Sequence, residues 1–281
     1  MSIPNQLEQT SRLSQTAKSS FGVASRMSLS VELNFSRSEH HPQAARPHLL
    51  FSPMHYEPGY AYPLIVWLHG AGSDEQQVLR VMPKISMRNF VAVAPRGREV
   101  AVQQVKKQEK AVADEGESLS LDVHDLLEGL GGKKTFYDWP QSPETIEEAE
   151  RAVFECIEIA FQRCNIAKNR VFLVGFDSGG TMALRLAMLY PEYFAGVVSL
   201  CGAFPQGNLP LRQWASIRHL PTLLTVGNQS DVFTTEQAGK TLALYHAAGM
   251  PIAVRDYPCG QELTGEMLLE VNRWIMERVC G

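Results

Sequence analysis

The sequence predicts an α/β protein built on a mostly parallel twisted sheet with helices on both faces. Three short apolar runs, at 63–68, 90–94 and 171–175, have the continuous hydrophobicity of strands that are covered on both faces. A segment with helical periodicity separates the first run from the second, so the two runs and the segment form a β-α-β unit. Because such units place their strands parallel, the sheet is predicted to be mostly parallel.

The composition is that of an ordinary soluble globular protein. The 281 residues are 44% hydrophobic and 20% charged, with a formal net charge of -4. This charge gives no general case for nucleic acid or an anionic membrane as a partner, and no run approaches the about 18 apolar residues of a membrane helix. The five cysteines, an odd number, favour reduced thiols and a cytoplasmic location over a disulfide framework. We expect neither a metal nor a cofactor.

The N-terminal region divides into a tail and the start of a domain. Residues 1–26 are rich in Ser, Gln and Thr, and such a composition cannot bury enough apolar surface to offset the entropy of ordering. They are predicted to be a disordered tail, and residues 27–281 a single domain. Alternation at 28–35 predicts a half-buried strand at the antiparallel edge of the sheet, and a second short strand is predicted at 48–52.

The parallel unit follows. Its first strand, at 63–68, ends in His-Gly-Ala-Gly at 69–72, a loop that can present backbone N–H groups to an anion or an oxyanion. A helix is predicted at 75–87. The next strand, at 90–94, is closed by Pro-Arg-Gly at 95–97.

Residues 98–140 lack periodicity and are predicted to form an excursion at the carboxyl edge of the sheet, where substrate-facing loops of open α/β folds lie. A short helix is predicted inside it at 122–130, and the charged run at 106–110 is interpreted as a solvated surface turn. A long helix then begins with Ser142 as N-cap and Pro143 at the first helical position.

The last third of the chain alternates strands with helices. Strands are predicted at 193–200, 221–226 and 252–256. Helices are predicted at 234–248 and 262–279, the second with a clear apolar face.

The most specific motif is the turn at 175–179, Gly-Phe-Asp-Ser-Gly, between the strand at 171–175 and an amphipathic helix. In a G-x-S-x-G nucleophile elbow, small residues flank a nucleophile whose backbone is strained and whose helix packs close to the strand. The register that puts glycine on both flanks places Asp177 at the nucleophile position. Ser178 is one place late, because its register would need a small residue at Phe176.

Five motifs in this order resemble the phospholipase/carboxylesterase branch of the α/β-hydrolase fold. They are His-Gly-Ala-Gly at 69–72, Ala-Pro-Arg-Gly at 94–97, Arg-Val-Phe-Leu-Val-Gly-Phe-x-x-Gly-Gly-x-Met-Ala-Leu at 170–184, Phe-Ala-Gly-Val-Val at 194–198, and an Asp-bearing loop after Leu-Leu-Thr-Val at 223–226. The resemblance runs from about residue 60 to the C-terminus. It implies the α/β-hydrolase fold and a catalytic order of Ser, Asp and His.

Carried over by position, the resemblance implies the site residues. Asp231 is at the position of the acid, Gln261 is at that of the histidine, and Asp177 is at that of the serine. The oxyanion donors would be the backbone N–H groups of Ala71 and Ser178. Two of the three triad groups are thus replaced, and a glutamine amide cannot take up a proton near neutral pH.

We therefore predict an esterase-like α/β-hydrolase homologue, a pseudoenzyme that has lost the Ser/His chemistry and retains a pocket for an ester-like small molecule or a protein partner. The alternative is an active hydrolase of the carboxylesterase/phospholipase type, or one that uses Asp177 as a carboxylate nucleophile with a base supplied from elsewhere. A purely structural role is the third hypothesis. The oligomeric state is not predicted.

Several of these residues also have structural interpretations. Asp177 could replace a lost nucleophile simply as a polar group at a helix start, and Asp231 could be a loop-turn residue. His69 is interpreted as making a structural hydrogen bond. His124, in the excursion, could reach the site. Cys259 is interpreted as a small apolar filler rather than a pocket thiol.

Overall fold

The computed structural model describes residues 46–100, 135–207 and 214–280. Their strands are β1 (His48–Phe51), β2 (Tyr62–Leu68), β3 (Val91–Pro95), β4 (Arg98–Val100), β5 (Phe136–Asp138), β6 (Ile166–Phe176), β7 (Gly196–Leu200), β8 (Thr222–Gly227) and β9 (Ile252–Tyr257). Their helices are α1 (Gln77–Ile85), α2 (Pro143–Arg163), α3 (Ser178–Leu189), α4 (Trp214–Ile217), α5 (Thr235–Ala248) and α6 (Gly265–Cys280).

Seven of these strands form one sheet in the order β1-β3-β2-β6-β7-β8-β9. β1 is antiparallel to β3 at the edge, and the other neighbouring pairs are parallel. The predicted mostly parallel sheet is therefore confirmed, with its antiparallel edge at β1. The strand predicted at 28–35 and the tail predicted at 1–26 lie outside the described residues.

The side chains of β2 alternate between the two faces of the sheet. Ile65 and Trp67 pack in one apolar cluster with α1 and α6. Leu64 and Val66 pack in a second cluster with α2 and α3. All four side chains are fully buried, and burying one large apolar side chain stabilises a fold by about 1.5–3 kcal/mol. Helices cover both faces of the sheet, as the sequence predicts.

α2 begins as predicted from the sequence. The Ser142 hydroxyl accepts a hydrogen bond from the Thr145 backbone N–H at 3.4 Å, and Pro143 is the first helical residue. The periodicity predicts an apolar face at Ile146, Ala149, Val153, Ile157, Ala160 and Phe161. The first five of these residues are buried and Phe161 is half-buried. α2 thereby packs on β3 and β2 on the face opposite α1.

The predicted excursion at 98–140 contains a short strand at each end. β4 and β5 pair antiparallel as a separate two-stranded sheet, with Arg98 opposite Asp138. The sequence does not predict this pairing because each strand has only three residues and the partners are far apart in the chain. The helix predicted at 122–130 and the charged run at 106–110 lie outside the described residues.

The remaining predicted elements are present, with ends that shift by up to three residues, except that β6 begins at Ile166, five residues before the predicted strand. The short helix α4 is not predicted by the periodicity. Among the residues that the structure describes, no helix is both long and apolar enough to cross a membrane.

Candidate functional site

The turn between β6 and α3 is formed by Asp177. Its φ of 53° and ψ of -123° lie in a region that residues with a side chain rarely adopt. The Asp177 backbone N–H donates to the carbonyl oxygen of Leu200 at 2.8 Å, which ties the turn to the end of β7. The predicted sharp turn is therefore present, at the carboxyl ends of the central strands.

The glycines on either side are required by a close approach of the backbone. A Cβ atom on Gly175 would lie 2.2 Å from the carbonyl oxygen of Gly179. A Cβ atom on Gly179 would lie 2.3 Å from the carbonyl oxygen of His69. Both separations are far below van der Waals contact. α3 therefore starts against the ends of β2 and β6, and this packing fixes the position of Asp177.

The carboxylate of Asp177 is held by two donors from distant parts of the chain. Its Oδ2 accepts the backbone N–H of Ala71 at 3.3 Å, and its Oδ1 accepts the side-chain Nε2 of Gln261 at 2.8 Å. Three of the sequence-predicted site residues are thus in contact. The Ala71 N–H, predicted to serve an oxyanion, is engaged by a side-chain carboxylate.

The loop that carries Ala71 is fixed on both sides. The Gly70 N–H donates to Oε1 of Gln77 at 3.2 Å, and the Gly72 N–H donates to the carbonyl oxygen of Tyr137 at 2.9 Å. With both neighbouring N–H groups engaged, the loop presents the Ala71 N–H to Asp177.

The orientation of the Gln261 amide follows from its partners. Its Nε2 lies 2.7 Å from the carbonyl oxygen of Cys201, and its Oε1 lies 2.8 Å from the hydroxyl of Ser230. A carbonyl oxygen can only accept, so the NH₂ group faces Cys201 and Asp177 while the amide oxygen accepts from Ser230. The group beside the Asp177 carboxylate is therefore a donor and not a proton acceptor.

Ser230, which none of the sequence motifs indicates, is the residue of the β8–α5 loop that contacts Gln261. Ser230 is 7% exposed, and its hydroxyl also accepts the backbone N–H groups of Val232 and Phe233, both at 3.2 Å. Asp231 is exposed, and its carboxylate makes no hydrogen bond or ion pair within the described ranges. The sequence signal for Ser230 was its position in a loop, because a serine hydroxyl there can accept the N–H groups two and three residues later and so fix a turn.

Ser178, the other predicted oxyanion residue, opens α3. Its hydroxyl is buried and has no hydrogen-bond partner among the residues that the structure describes. The role of its backbone N–H stays a prediction.

His69, which precedes the loop that carries Ala71, is fully buried and has a structural role. The Gly97 N–H donates to Nε2 at 2.9 Å, so Nε2 carries no proton, and Nδ1 donates to the carbonyl oxygen of Gly70 at 2.9 Å. Burial lowers the pKa of the imidazole below its ordinary value of 6.5, against smaller opposing effects of Gly70 and nearby acids. His69 is therefore a neutral, fully bonded residue, in agreement with its structural interpretation.

In the part of the chain that the structure describes, no histidine hydrogen-bonds to Asp177, whose side-chain partners are Ala71 and Gln261. His124 lies outside the described residues. Cys259 is 5% exposed in the apolar cluster of α1 and α6, and burial raises the pKa of its thiol. A neutral buried thiol agrees with its interpretation as an apolar filler.

Comparison with known proteins identifies the family. Residues 135–277, slightly more than half of the chain, match the sequence profile of the phospholipase/carboxylesterase family. A protein of Oryza sativa subsp. japonica named probable carboxylesterase is 24% identical over 240 residues, which cover 78% of this chain and 89% of that protein. Other curated relatives align over 29% to 56% of their own length.

Solved structures agree with the fold. The carboxylesterase of Bacillus cereus superimposes with a TM-score of 0.60 at 13% identity, covering 84% of this chain and 95% of that one. Acyl-protein thioesterase 2 of Zea mays gives 0.59 at 18% identity, covering 83% and 99%. SOBER1 of Arabidopsis thaliana gives 0.57 at 18% identity, covering 78% and 100%. These likenesses show the fold, and the match of the family profile shows that the chain belongs to the phospholipase/carboxylesterase family of α/β-hydrolase-fold proteins.

Proposed function

We propose that this family member has lost ester hydrolysis and acts by binding a ligand or a protein partner. The observation that carries the proposal is the position of the Asp177 carboxylate. It accepts the Ala71 N–H, the donor that an ester oxyanion would need, so a negative charge of the protein already occupies part of that site. A second negative charge developing there would be repelled.

The route of the proton supports the same proposal. A serine-type mechanism needs a group that takes the proton of the nucleophile and returns it to the leaving group. Gln261 directs its NH₂ group at Asp177 and Cys201, and an amide does not take up a proton near neutral pH. Ser230, which contacts the amide oxygen, is neutral as well. We therefore infer that the chain Asp177–Gln261–Ser230 occupies the place of the nucleophile, base and acid.

The competing function is a hydrolase in which Asp177 itself is the nucleophile. A carboxylate can form an ester with an alkyl group, but a base must then activate water to hydrolyse that ester. Among the described residues, the hydrogen-bond partners of the carboxylate are two N–H donors. Donors stabilise the carboxylate, and neither of them can activate water.

The names of the relatives suggest the chemistry of the ligand. They include carboxylesterases and an acyl-protein thioesterase. An ester-like or acylated molecule is accordingly our first candidate ligand, and a protein partner is the second. A cytoplasmic location, proposed from the cysteine usage, is compatible with either ligand.

The experiment measures hydrolysis of p-nitrophenyl acetate and butyrate. The wild-type chain should be near background. A hydrolase without its triad accelerates the reaction only roughly 10³- to 10⁴-fold over water, a small part of the acceleration by the intact enzyme. Asp177→Ser and Gln261→His should each gain little. The double variant should gain more than the product of the single variants, because the two groups act as a unit.

Two further variants separate the two candidates for the acid. Ser230→Asp added to the double variant should raise turnover again, by about tenfold or more, because a carboxylate there would orient the new imidazole. Asp231→Asn in the same background should change turnover little. Strong wild-type turnover that Asp177→Asn abolishes would instead identify an Asp nucleophile. Strong turnover indifferent to Asp177 would place the active site elsewhere.

A further inference from the structure

A second concave surface lies away from the Asp177 site. A groove of about 700 Å³ runs between α2 and the turn that follows α3. α3 begins beside Asp177 and ends at Leu189, and its 12 residues span about 18 Å at 1.5 Å per residue. The turn residues Tyr190 and Tyr193 line the groove, so it lies at the end of α3 opposite the Asp177 site.

The floor of the groove is aromatic. Phe154 of α2 meets Tyr190 at 5.1 Å and Tyr193 at 5.2 Å between ring centroids, both edge to face. The buried ring of Phe194 lies behind them, 6.3 Å from Phe154. Tyr193 is nevertheless 62% exposed. The structure thus holds a large ring at the surface, on a rigid aromatic base.

The wall of the groove is acidic. Glu147, Glu150, Glu155 and Glu158 of α2 line it together with one cation, Arg151. Residues three and four apart share one side of a helix, and like charges at that spacing destabilise it by about 0.2–0.5 kcal/mol per pair. Arg151, four residues from both Glu147 and Glu155, offsets part of this repulsion, and a cationic ligand would relieve the rest.

Three of the four carboxylates are available. Glu150 is engaged within the groove by a hydrogen bond with Tyr190. Burial, and to a smaller extent this hydrogen bond, raise the pKa of Tyr190 to about 12. Glu147, Glu155 and Glu158 make no ion pair with any residue in the described ranges. The adjacent Glu148, which does not line the groove, pairs with Arg46 and Arg98 of the same chain, so α2 already carries a carboxylate bound by arginine.

We propose that this groove binds a segment of a partner protein rich in arginine and lysine. Guanidinium groups pair with carboxylates through two hydrogen bonds and stack on aromatic rings, so they match both the wall and the floor. From Glu147 to Glu158 the helix rises about 16 Å, the length of about five extended residues. A single small cation would fill only part of such a stripe. The proposal is independent of whether the Asp177 site hydrolyses esters.

The test uses the full chain and a fluorescein-labelled octa-arginine peptide, with binding followed by fluorescence anisotropy. The combined variant Glu147→Gln/Glu155→Gln/Glu158→Gln should weaken binding at least tenfold. Tyr193→Ala should weaken it several-fold, whereas Tyr193→Phe, which keeps the ring, should bind like the wild-type chain. Octa-lysine should bind less tightly than octa-arginine because it lacks planar groups that stack.

The matched control removes the same charge from other exposed positions, as Glu57→Gln/Glu99→Gln/Glu266→Gln. It should retain nearly wild-type affinity. Equal losses in the two triple variants would reduce the effect to net charge and overturn the proposal, as would absence of binding. Self-association of the full chain that only the groove variant abolishes, measured by sedimentation, would assign the groove to a second copy of the chain and also overturn it.

Discussion

At the scale of single residues, Asp177 combines an unfavourable backbone with a well-bonded side chain. Its positive φ costs about 1–3 kcal/mol for a residue with a Cβ atom. The surrounding structure maintains it through the Leu200 carbonyl, and the carboxylate gains two hydrogen bonds. The strained turn that would present a nucleophile has therefore been retained, while its side chain is engaged by the protein itself.

This interpretation predicts a difference between two substitutions. Asp177→Gly and Asp177→Ala both remove the carboxylate, but only alanine keeps a Cβ atom at the unfavourable φ. Glycine relieves about 1–3 kcal/mol of strain and costs about 0.4–1 kcal/mol through the freer unfolded chain. The glycine variant should therefore be more stable by about 1 kcal/mol in urea unfolding. Equal stabilities would mean that the turn relaxes when the carboxylate is lost.

At the scale of elements, the contact between α3 and the end of β2 holds Asp177 next to the loop that carries Ala71. Gly179→Ala would place a Cβ atom against the carbonyl oxygens of Leu68 and His69, which belong to the backbone and cannot move alone. We expect this variant to lose at least about 2 kcal/mol, as overpacked positions do. Gly239→Ala in α5 is the control, because nothing lies within 4 Å of its Cβ position. Helix propensity should make that control neutral or up to about 1 kcal/mol more stable. Urea unfolding of both variants provides the comparison.

Elements that depend on neighbouring residues could be predicted from the sequence, whereas some contacts between distant residues could not. The succession of strands and helices along the chain, helix starts such as Ser142 and the glycine-flanked turn are encoded locally, in periodicity and capping residues. The contact of Asp177 with Gln261 could be predicted from the family resemblance, which assigns both residues to triad positions at the carboxyl ends of the strands. That Ser230, and not Asp231, contacts Gln261 could not be predicted from the sequence. The backbone conformation of the loop determines which of the two neighbouring side chains points inward. The pairing of β4 with β5 depends on distant partners, which no local pattern reports.

At the scale of the whole molecule, His69 joins parts of the chain that are far apart in sequence. Its ring bonds Gly97 after β3, and its carbonyl oxygen accepts the indole N–H of Trp139 after β5 at 2.9 Å. A Cβ atom on Gly97 would lie 2.9 Å from Nε2, so no larger residue fits there without displacing the ring. The loop with Ala71 follows directly, so the state of this imidazole is coupled to both the fold and the site.

The pKa of His69 predicts how stability depends on pH. Because burial depresses that pKa in the folded chain, the unfolded chain binds the proton more readily. The stability that neutral His69 contributes is therefore fully present when the pH is above 6.5, the pKa in the unfolded chain. It is lost as the pH falls below 6.5 through the lower pKa of the folded chain. The slope that this one proton adds is at most about 1.4 kcal/mol per pH unit.

His69→Gln removes the titrating group and keeps a side chain that can donate and accept. The variant should be less stable at pH 7.5 than the wild-type chain, because the amide matches the ring geometry poorly. Between pH 7.5 and pH 5 its free energy of unfolding should fall less steeply, since only the wild-type chain has to exclude a proton from this buried ring. Urea unfolding at several pH values measures both slopes, and carboxylates contribute equally to each. Parallel slopes would show that His69 does not govern the acid sensitivity of the fold.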